Sequence, residues 1–319
     1  MRLIAVGLAG LLALFATGCI NLDLGAFQTR PLEERVIFGE EGPKILLMDL
    51  AGTISETGDS GAFGVGDRES TVSRVRQQLE IASEDDEVKA LLLRINSPGG
   101  TANASEIVYQ EIMRFRSERK IPVVAQLMGI AASGGYYVAM AADTVRAYPT
   151  SVTGSIGVIF AGVNLSALME KVGIENQTLT TGSFKDAGSP LRPMSEEERA
   201  QLGSVLDDLY ERFLHVVEEG RPDLTRDRLE VLADGRIYSA PQALENGLID
   251  AIGDLPGAVD EAKSRAGLSE ARVVVYQRPG ELRENLFSPK SLAGIDPRMR
   301  LLEALAGPSF LYLWGPVAH

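Results

Sequence analysis

Two glycine-rich turns hold the residues whose types and spacing could do chemistry. The first is Ser97-Pro98-Gly99-Gly100, at the end of an apolar run. The second runs from Gly129 to Gly135, with Ser133 directly followed by Gly134 and Gly135. Glycine has no Cβ, so the backbone at such a turn can approach a ligand closely. Where a turn opens a helix, the first N–H groups lack an intrahelical acceptor and carry the positive end of the dipole. Such groups can hold a phosphate or stabilise an oxyanion. A purely structural Pro-Gly turn explains the first segment about as well. Ser133 stands between an apolar run and a series of small residues, where a nucleophile can be presented. The Gly-x-Ser-x-Gly elbow is not met, because Ala131 holds the first glycine position. Taken alone, the plainer reading of Ser133 is a helix N-cap.

Other chemistries are poorly supplied. The 319 residues include two histidines, His215 and His319, and one cysteine, Cys19. Zinc sites built from His and Cys clusters are therefore excluded in practice. A Ser-His-Asp triad would have to use His215, which lies in a stretch of helical periodicity with no motif around it. One cysteine permits no internal disulfide, so the fold must rest on its core. No metal and no cofactor is expected. The formal net charge is −13, with the arginines scattered among carboxylates. That balance argues against a nucleic-acid partner, which needs a concentrated basic surface.

The elements that must position these turns alternate. Residues 44–50, 88–95, 122–127 and 145–148 read as short apolar strands. Residues 71–82, 104–117 and 133–142 read as helices between them, and 52–66 as a Gly- and Ser-rich loop. Strand–helix alternation implies parallel strands joined by crossovers, hence an α/β domain. In such a sheet ligands bind beyond the carboxyl ends of the strands, so both turns should face one crevice. Residues 195–219 predict a long acidic amphipathic helix, started by a capping box of Ser195 and Glu198. A short helix over 240–246 is stopped by Gly247. The acidic run Glu84 to Glu87 reads as a solvated helix exit, and the Asn-x-Ser/Thr triplets at Asn103, Asn164 and Asn176 as chance matches.

Four blocks follow in a set order: Ser-Pro-Gly-Gly at 97–100, Ala-Ser-Gly-Gly-Tyr-Tyr at 132–137, Gly-Ser-Ile-Gly at 154–157 and Lys-Asp-Ala-Gly-Ser-Pro at 185–190. In these blocks, and over residues 44–270, the chain resembles the signal peptide peptidase A (SppA) family of serine peptidases, in a short single-repeat form. The resemblance implies an α/β fold with a ClpP/crotonase-like core of parallel strands and crossover helices. It also implies the roles. Ser133 matches the nucleophile, Lys185 the general base and Ser155 the residue that orients the lysine. The backbone N–H groups of Gly100 and Gly134 match the oxyanion hole. A free lysine titrates near about 10.4, so a lysine base must be desolvated to work at neutral pH. Asp186 would oppose that shift, and its side chain is expected to point away. Relatives assemble into a ring-like dome in which Ser and Lys of one site come from different protomers. The expected partners are thus an apolar peptide, such as a cleaved signal peptide, and further copies of the chain.

The N-terminus adds an address. Arg2, an apolar run from Leu3 to Ala16 and the small residues Thr17 and Gly18 have the layout of a secretory signal. Ala16-Thr17-Gly18-Cys19 resembles the bacterial lipobox, which makes Cys19 a lipidation candidate; an uncleaved anchor helix is the other reading. Either places the chain at a bacterial membrane with its bulk outside the cytoplasm. Residues 20–43 are read as a tether, 44–270 as the peptidase domain and 271–319 as an extension. The apolar stretch 308–314 could pack on its own domain, on a neighbour or on lipid. Two rivals to a peptidase are a crotonase-like acyl-CoA enzyme and a catalytically silent membrane scaffold.

Overall fold

The structure, a computed structural model, describes residues 31–58, 69–279, 281, 283–288 and the backbone of 309–313. Cys19 and the N-terminal apolar run lie outside the described residues. Strands β1 (Glu33–Phe38), β2 (Lys44–Ala51), β3 (Val88–Ser97), β4 (Gly99–Thr101), β5 (Val123–Ala132), β6 (Thr144–Ala147), β7 (Val152–Gly154), β8 (Ile159–Ala161), β9 (Ile237–Ser239), β10 (Ala251–Ile252), β11 (Arg272–Gln277) and β12 (Ser309–Leu313) follow in chain order. The helices are α1 (Thr71–Glu84), α2 (Ala102–Arg119), α3 (Gly134–Ala139), α4 (Ser166–Val172), α5 (Glu196–Gly220), α6 (Arg226–Leu232), α7 (Ala240–Glu245) and α8 (Leu255–Arg265).

The main sheet runs β1-β11-β2-β3-β5-β6-β10, with β7 continuing from β5 and β9 from β7. Its centre, β11 through β10, is parallel, as expected from the alternation of strands and helices. Because successive side chains point to opposite faces, each central strand feeds two cores. Leu46, Met48 and Leu50 of β2, with Leu91, Leu93 and Ile95 of β3, pack towards α1, α2, α3 and α5. Ile45, Leu47, Ala90 and Leu92 face the other way, against Leu255, Ala258, Val259 and Ala262 of α8. A sheet covered on both faces explains why these strands read as unbroken apolar runs.

Two edges differ from the sequence reading. Residues 33–38, expected to be irregular, form β1, antiparallel to β11. β11 itself lies beyond residue 270 and is an integral strand beside β2. Both carry alternating or apolar patterns too short to separate from flanking polar sequence. A second small sheet, β4-β12-β8, escaped the periodicity altogether because its strands span three to five residues. The long helix arrived as expected: Ser195 caps α5, and Glu198 returns a bond to the Ser195 N–H. His215 lies on the solvated face of α5, near Glu218 and Glu219. Among the described residues no helix is long and apolar enough to cross a membrane.

Candidate active site

β5 carries Ser133 to its position. Ala131 and Ala132 pair in parallel with Thr153 and Gly154 of β7, and the chain then turns sharply. Ser133 takes φ 52° and ψ −118°, left-handed backbone that side chains other than glycine rarely adopt. Its N–H donates to the Gly154 carbonyl at 2.8 Å, and its own carbonyl accepts from Tyr137 N–H at 2.8 Å. Its hydroxyl makes no capping bond to α3, so the N-cap reading of this serine fails. The serine side chain is therefore held at the head of a helix without being used to build it.

α3 is buried from end to end, and Gly135 shows how tightly. A Cβ on Gly135 would lie 2.7 Å from the Ser97 carbonyl oxygen, so only glycine lets the helix sit this close to the first turn. Tyr137 then locks the helix sideways. Its ring meets Tyr109 of α2 at 5.5 Å and Phe213 of α5 at 4.9 Å, both edge-on. Its hydroxyl donates to Glu106, which also accepts from Arg212 Nη2 at 2.8 Å. Burial raises the Glu106 pKa, but the bonds from Arg212, Tyr137 and Gln110 outweigh it and hold the carboxyl below its usual range. Tyr136 turns to the other side and donates to the Leu248 carbonyl at 2.7 Å; burial pushes its phenol up to about 12.

The first turn is built from its own serine. Ser97 Oγ donates to the Gly52 carbonyl at 2.6 Å and accepts from Gly99 N–H at 3.1 Å. Gly100 then runs alongside Ile54: Ile54 N–H donates to Gly99 O at 2.9 Å, and Thr101 N–H donates to Ile54 O at 3.0 Å. A Cβ on Gly100 would fall 1.8 Å from the Ile54 oxygen, so this position admits glycine alone. Strand alternation turns the Gly100 N–H away from Ile54, towards Tyr312 of β12, its partner in register.

β12 lies between the first turn and β8. It runs antiparallel to both neighbours, pairing Gly99 to Thr101 on one side and Ile159 to Ala161 on the other. A segment of the chain thus lies extended across the Gly100 turn as the middle strand of three.

Ser155 follows β7 and also has left-handed backbone, φ 49°. Its N–H donates to the Arg236 carbonyl at 2.7 Å, which ties it to the loop before β9. The Ser133–Gly154 bond makes Ser133 and Ser155 close neighbours. The structure therefore brings Ser133, Ser155, Gly100 and Gly134 into one region. Lys185 stands apart from this group in its environment. It lies in the exposed turn 181–188, and its ammonium has no ionic or hydrogen-bonding partner among the described residues. The expected burial of Lys185 is absent within the single chain.

Asp186 does point elsewhere, as expected. Arg192 grips it through Nε and Nη2 at 2.8 and 2.7 Å, and also grips Glu198. The sequence reading passed over Arg192, although a lone arginine between a lysine turn and a capping box is a visible signal. It also passed over β12 as part of the site. No group of His, Cys, Asp and Glu among the described residues could hold a metal.

Comparison with known proteins gives this geometry its context. The profile of Peptidase family S49 matches residues 115–269, and that of Clp protease matches residues 64–155. The mostly parallel sheet with its crossover helices is accordingly of the ClpP/crotonase kind. A protein of Enterococcus faecium named as a signal peptide peptidase, SppA, is 38% identical over 77% of this chain and 70% of its own. The chloroplastic serine protease SPPA of Arabidopsis thaliana is 32% identical over 82% of this chain and 39% of its own. Protease 4 of Salmonella typhi is 33% identical over 72% of this chain and 37% of its own. With the SppA likeness extending over more than two thirds of both chains, this protein belongs to the signal peptide peptidase family of S49 peptidases and is a protease.

Proposed function

We propose that the chain is a serine endopeptidase acting on extended, apolar peptides at a membrane, with Ser133 as nucleophile and Lys185 of a neighbouring copy as general base. The observation that carries the reading is β12, a peptide strand lying antiparallel between β4 and β8 across the Gly100 N–H. A groove that takes backbone in this way suits a peptide and has no evident use for an acyl-CoA thioester. It therefore favours a peptidase over the crotonase-like alternative.

In this reading a substrate strand replaces β12 and sets its carbonyl between the N–H groups of Gly100 and Gly134. Ser133 Oγ attacks the carbonyl carbon as its proton passes to the neutral Lys185 amine, and the carbonyl oxygen takes the negative charge. The lysine returns the proton to the departing amine. Water then repeats the sequence on the acyl-enzyme, releasing the acid and restoring Ser133. Ser155 orients the amine.

The assignment of Lys185 to another copy rests on the exposed segment that carries it. Leu168, Val172, Ile174 and Phe184 are each about half exposed or more, and Leu179 is 97% exposed. So many exposed apolar side chains within one segment of seventeen residues, 168–184, support reading it as an interaction surface. Covering it would also remove water from the ammonium and favour the neutral base. The apolar run Leu3–Ala16 and Cys19 support delivery to a membrane.

Complementation tests the reading. Ser133→Ala and Lys185→Ala chains are each expected to be inactive. Mixed in equal amounts before assembly, they should recover activity at about a quarter of the sites, where intact Ser133 and Lys185 meet across a head-to-tail interface. Activity persisting in Ser133→Ala would overturn the serine assignment. Folded variants whose mixture stays inactive would overturn the shared site.

A further inference from the structure

The exposed turn that carries Lys185 needs a fixed attitude if its amine is to meet a serine reproducibly. Its internal bonds are short-range: Lys185 N–H to Gly182 O at 3.1 Å, Ala187 N–H to Phe184 O at 3.2 Å and Ser189 N–H to Asp186 O at 3.0 Å. Such turns close themselves but do not anchor to a rigid body. One further backbone bond, from Leu165 N–H to Pro190 O at 2.7 Å, links the segment to the start of α4, a helix that is itself exposed.

Arg192 supplies the missing anchor. Its guanidinium meets both oxygens of Asp186, the residue after Lys185, in a two-pronged fork. The same group bonds both oxygens of Glu198, through Nη1 at 2.9 Å and through Nη2. Glu198 is only 3% exposed and is committed to the start of α5, accepting from Ser195 N–H at 2.8 Å. α5 is a helix of 25 residues with Phe213, Leu214, Val216 and Val217 in the core. A rigid element, a buried carboxylate, a planar cation and the lysine turn thus form one chain of contacts. A guanidinium suits the task because its fork fixes orientation as well as distance.

We infer that Arg192 is a positioning residue for Lys185: it holds the lysine turn against α5 and keeps the Asp186 carboxylate bound away from the lysine amine. The inference rests on Lys185 being the general base. The charged groups around Asp186 are Arg192 and Glu198, with Glu196 and Glu197 in the same first turn of α5. Without Arg192, the carboxylates of Glu196, Glu197 and Glu198 remain, and Asp186 loses the cation bonded to it. The freed Asp186 carboxylate would favour the ammonium form of its neighbour, and the base would require higher pH.

The test compares full-length wild type, Arg192→Ala, Arg192→Lys, Asp186→Asn and the Arg192→Ala/Asp186→Asn double variant, with peptide hydrolysis followed across pH. Arg192→Ala should lower kcat at least tenfold with KM little changed, and move the acid limb of the kcat profile to higher pH. The double variant should return that limb to its wild-type position while kcat stays low. Arg192→Lys should recover only part of kcat, because an ammonium cannot make the fork. Asp186→Asn severs the link while leaving the Glu198 cap in place, and should lower kcat with no alkaline shift even if Arg192→Ala folds poorly. Wild-type kcat and pH profile in Arg192→Ala would overturn the inference, as would a loss that follows melting temperature and is fully restored by lysine. Full activity in Lys185→Ala would instead overturn the assignment of the base.

Discussion

Ser133 donates its N–H to the carbonyl of Gly154 at 2.8 Å, and through that bond the two left-handed serines, Ser133 and Ser155, come from adjacent strands to stand side by side. The bond continues the β5–β7 ladder for one residue past its last pair, Ala132 and Gly154. Gly154 itself, at φ 87°, has the Tyr238 ring 2.6 Å from where a Cβ would be, so β7 is pressed between the β5 turn and β9. The position of Ser155 relative to Ser133 is thus set by backbone.

From this follows the first prediction. Ser155→Ala should fold as wild type, because the bond that fixes residue 155 is its N–H to Arg236 O. If the hydroxyl orients the lysine, kcat should fall about tenfold or more, equal to about 1.4 kcal/mol or more of barrier. Steady-state kinetics beside a melting curve checks it; unchanged kcat would remove Ser155 from the mechanism.

Gly100→Ala should be far more damaging than an ordinary surface glycine change. The new methyl meets the Ile54 carbonyl, a backbone atom that no rotamer can move aside. Overpacking of this kind costs about 1–3 kcal/mol or more. Thermal unfolding should show the loss, and hydrolysis should vanish with the displaced N–H. A variant melting with wild type would contradict the close approach.

Glu106→Gln probes the support under Ser133 and α3. Glu106 binds Tyr137 of α3 and Arg212 of α5, and its folded pKa lies below the ordinary 4.5. A depressed carboxyl pKa contributes stability in full above the unfolded value and loses it as pH falls through the folded one. Wild type should therefore lose stability below about pH 4.5, while Glu106→Gln shows a flatter acid limb. At neutral pH the variant should be less stable by about 1 kcal/mol, because the amide oxygen can still accept from Tyr137 and the loss is the charge facing Arg212. Denaturant titrations from pH 3 to 7 would decide; parallel curves for the two proteins would refute the assignment.

Removing residues 309–313 should open the groove. In the proposed reading, peptide substrates compete with β12 for the ladder positions it holds on Gly99–Thr101 and Ile159–Ala161. The shortened protein should show a lower KM with kcat little changed, and a synthetic peptide of the 309–313 sequence should inhibit it more strongly than the full chain. An unchanged KM would mean that substrates enter elsewhere.

Much of this was legible in the sequence for identifiable reasons. The buried central strands announce themselves as apolar runs because α8 covers one face and α1, α2 and α3 the other. The Ser195–Glu198 box marked the start of α5 to the residue, since capping chemistry is local. Ser133 stands out from its place between strand and helix, but its rejection as a cap needed the structure, where its hydroxyl makes no capping bond to α3. β4, β8 and β12 stayed hidden, because three to five residues show no period and their pairing joins residues some 150 to 210 positions apart in sequence. The Arg192 fork is likewise a tertiary fact, made by folding the lysine turn back on α5.

β12 also has a consequence for concentration. Residues 289–308 make a connection of twenty residues between Ser288 and Ser309. A strand on the same chain as its groove competes as an intramolecular ligand, at an effective concentration that does not depend on how much protein is present. If substrates take the place proposed for them, any external peptide titrates against that resident strand, and its apparent affinity falls by the fraction of time the groove is occupied. The threshold for hydrolysis then depends on how densely substrate is presented. Dilute peptides in bulk water would then fall below it, while peptides crowded against one surface would exceed it at the same total amount.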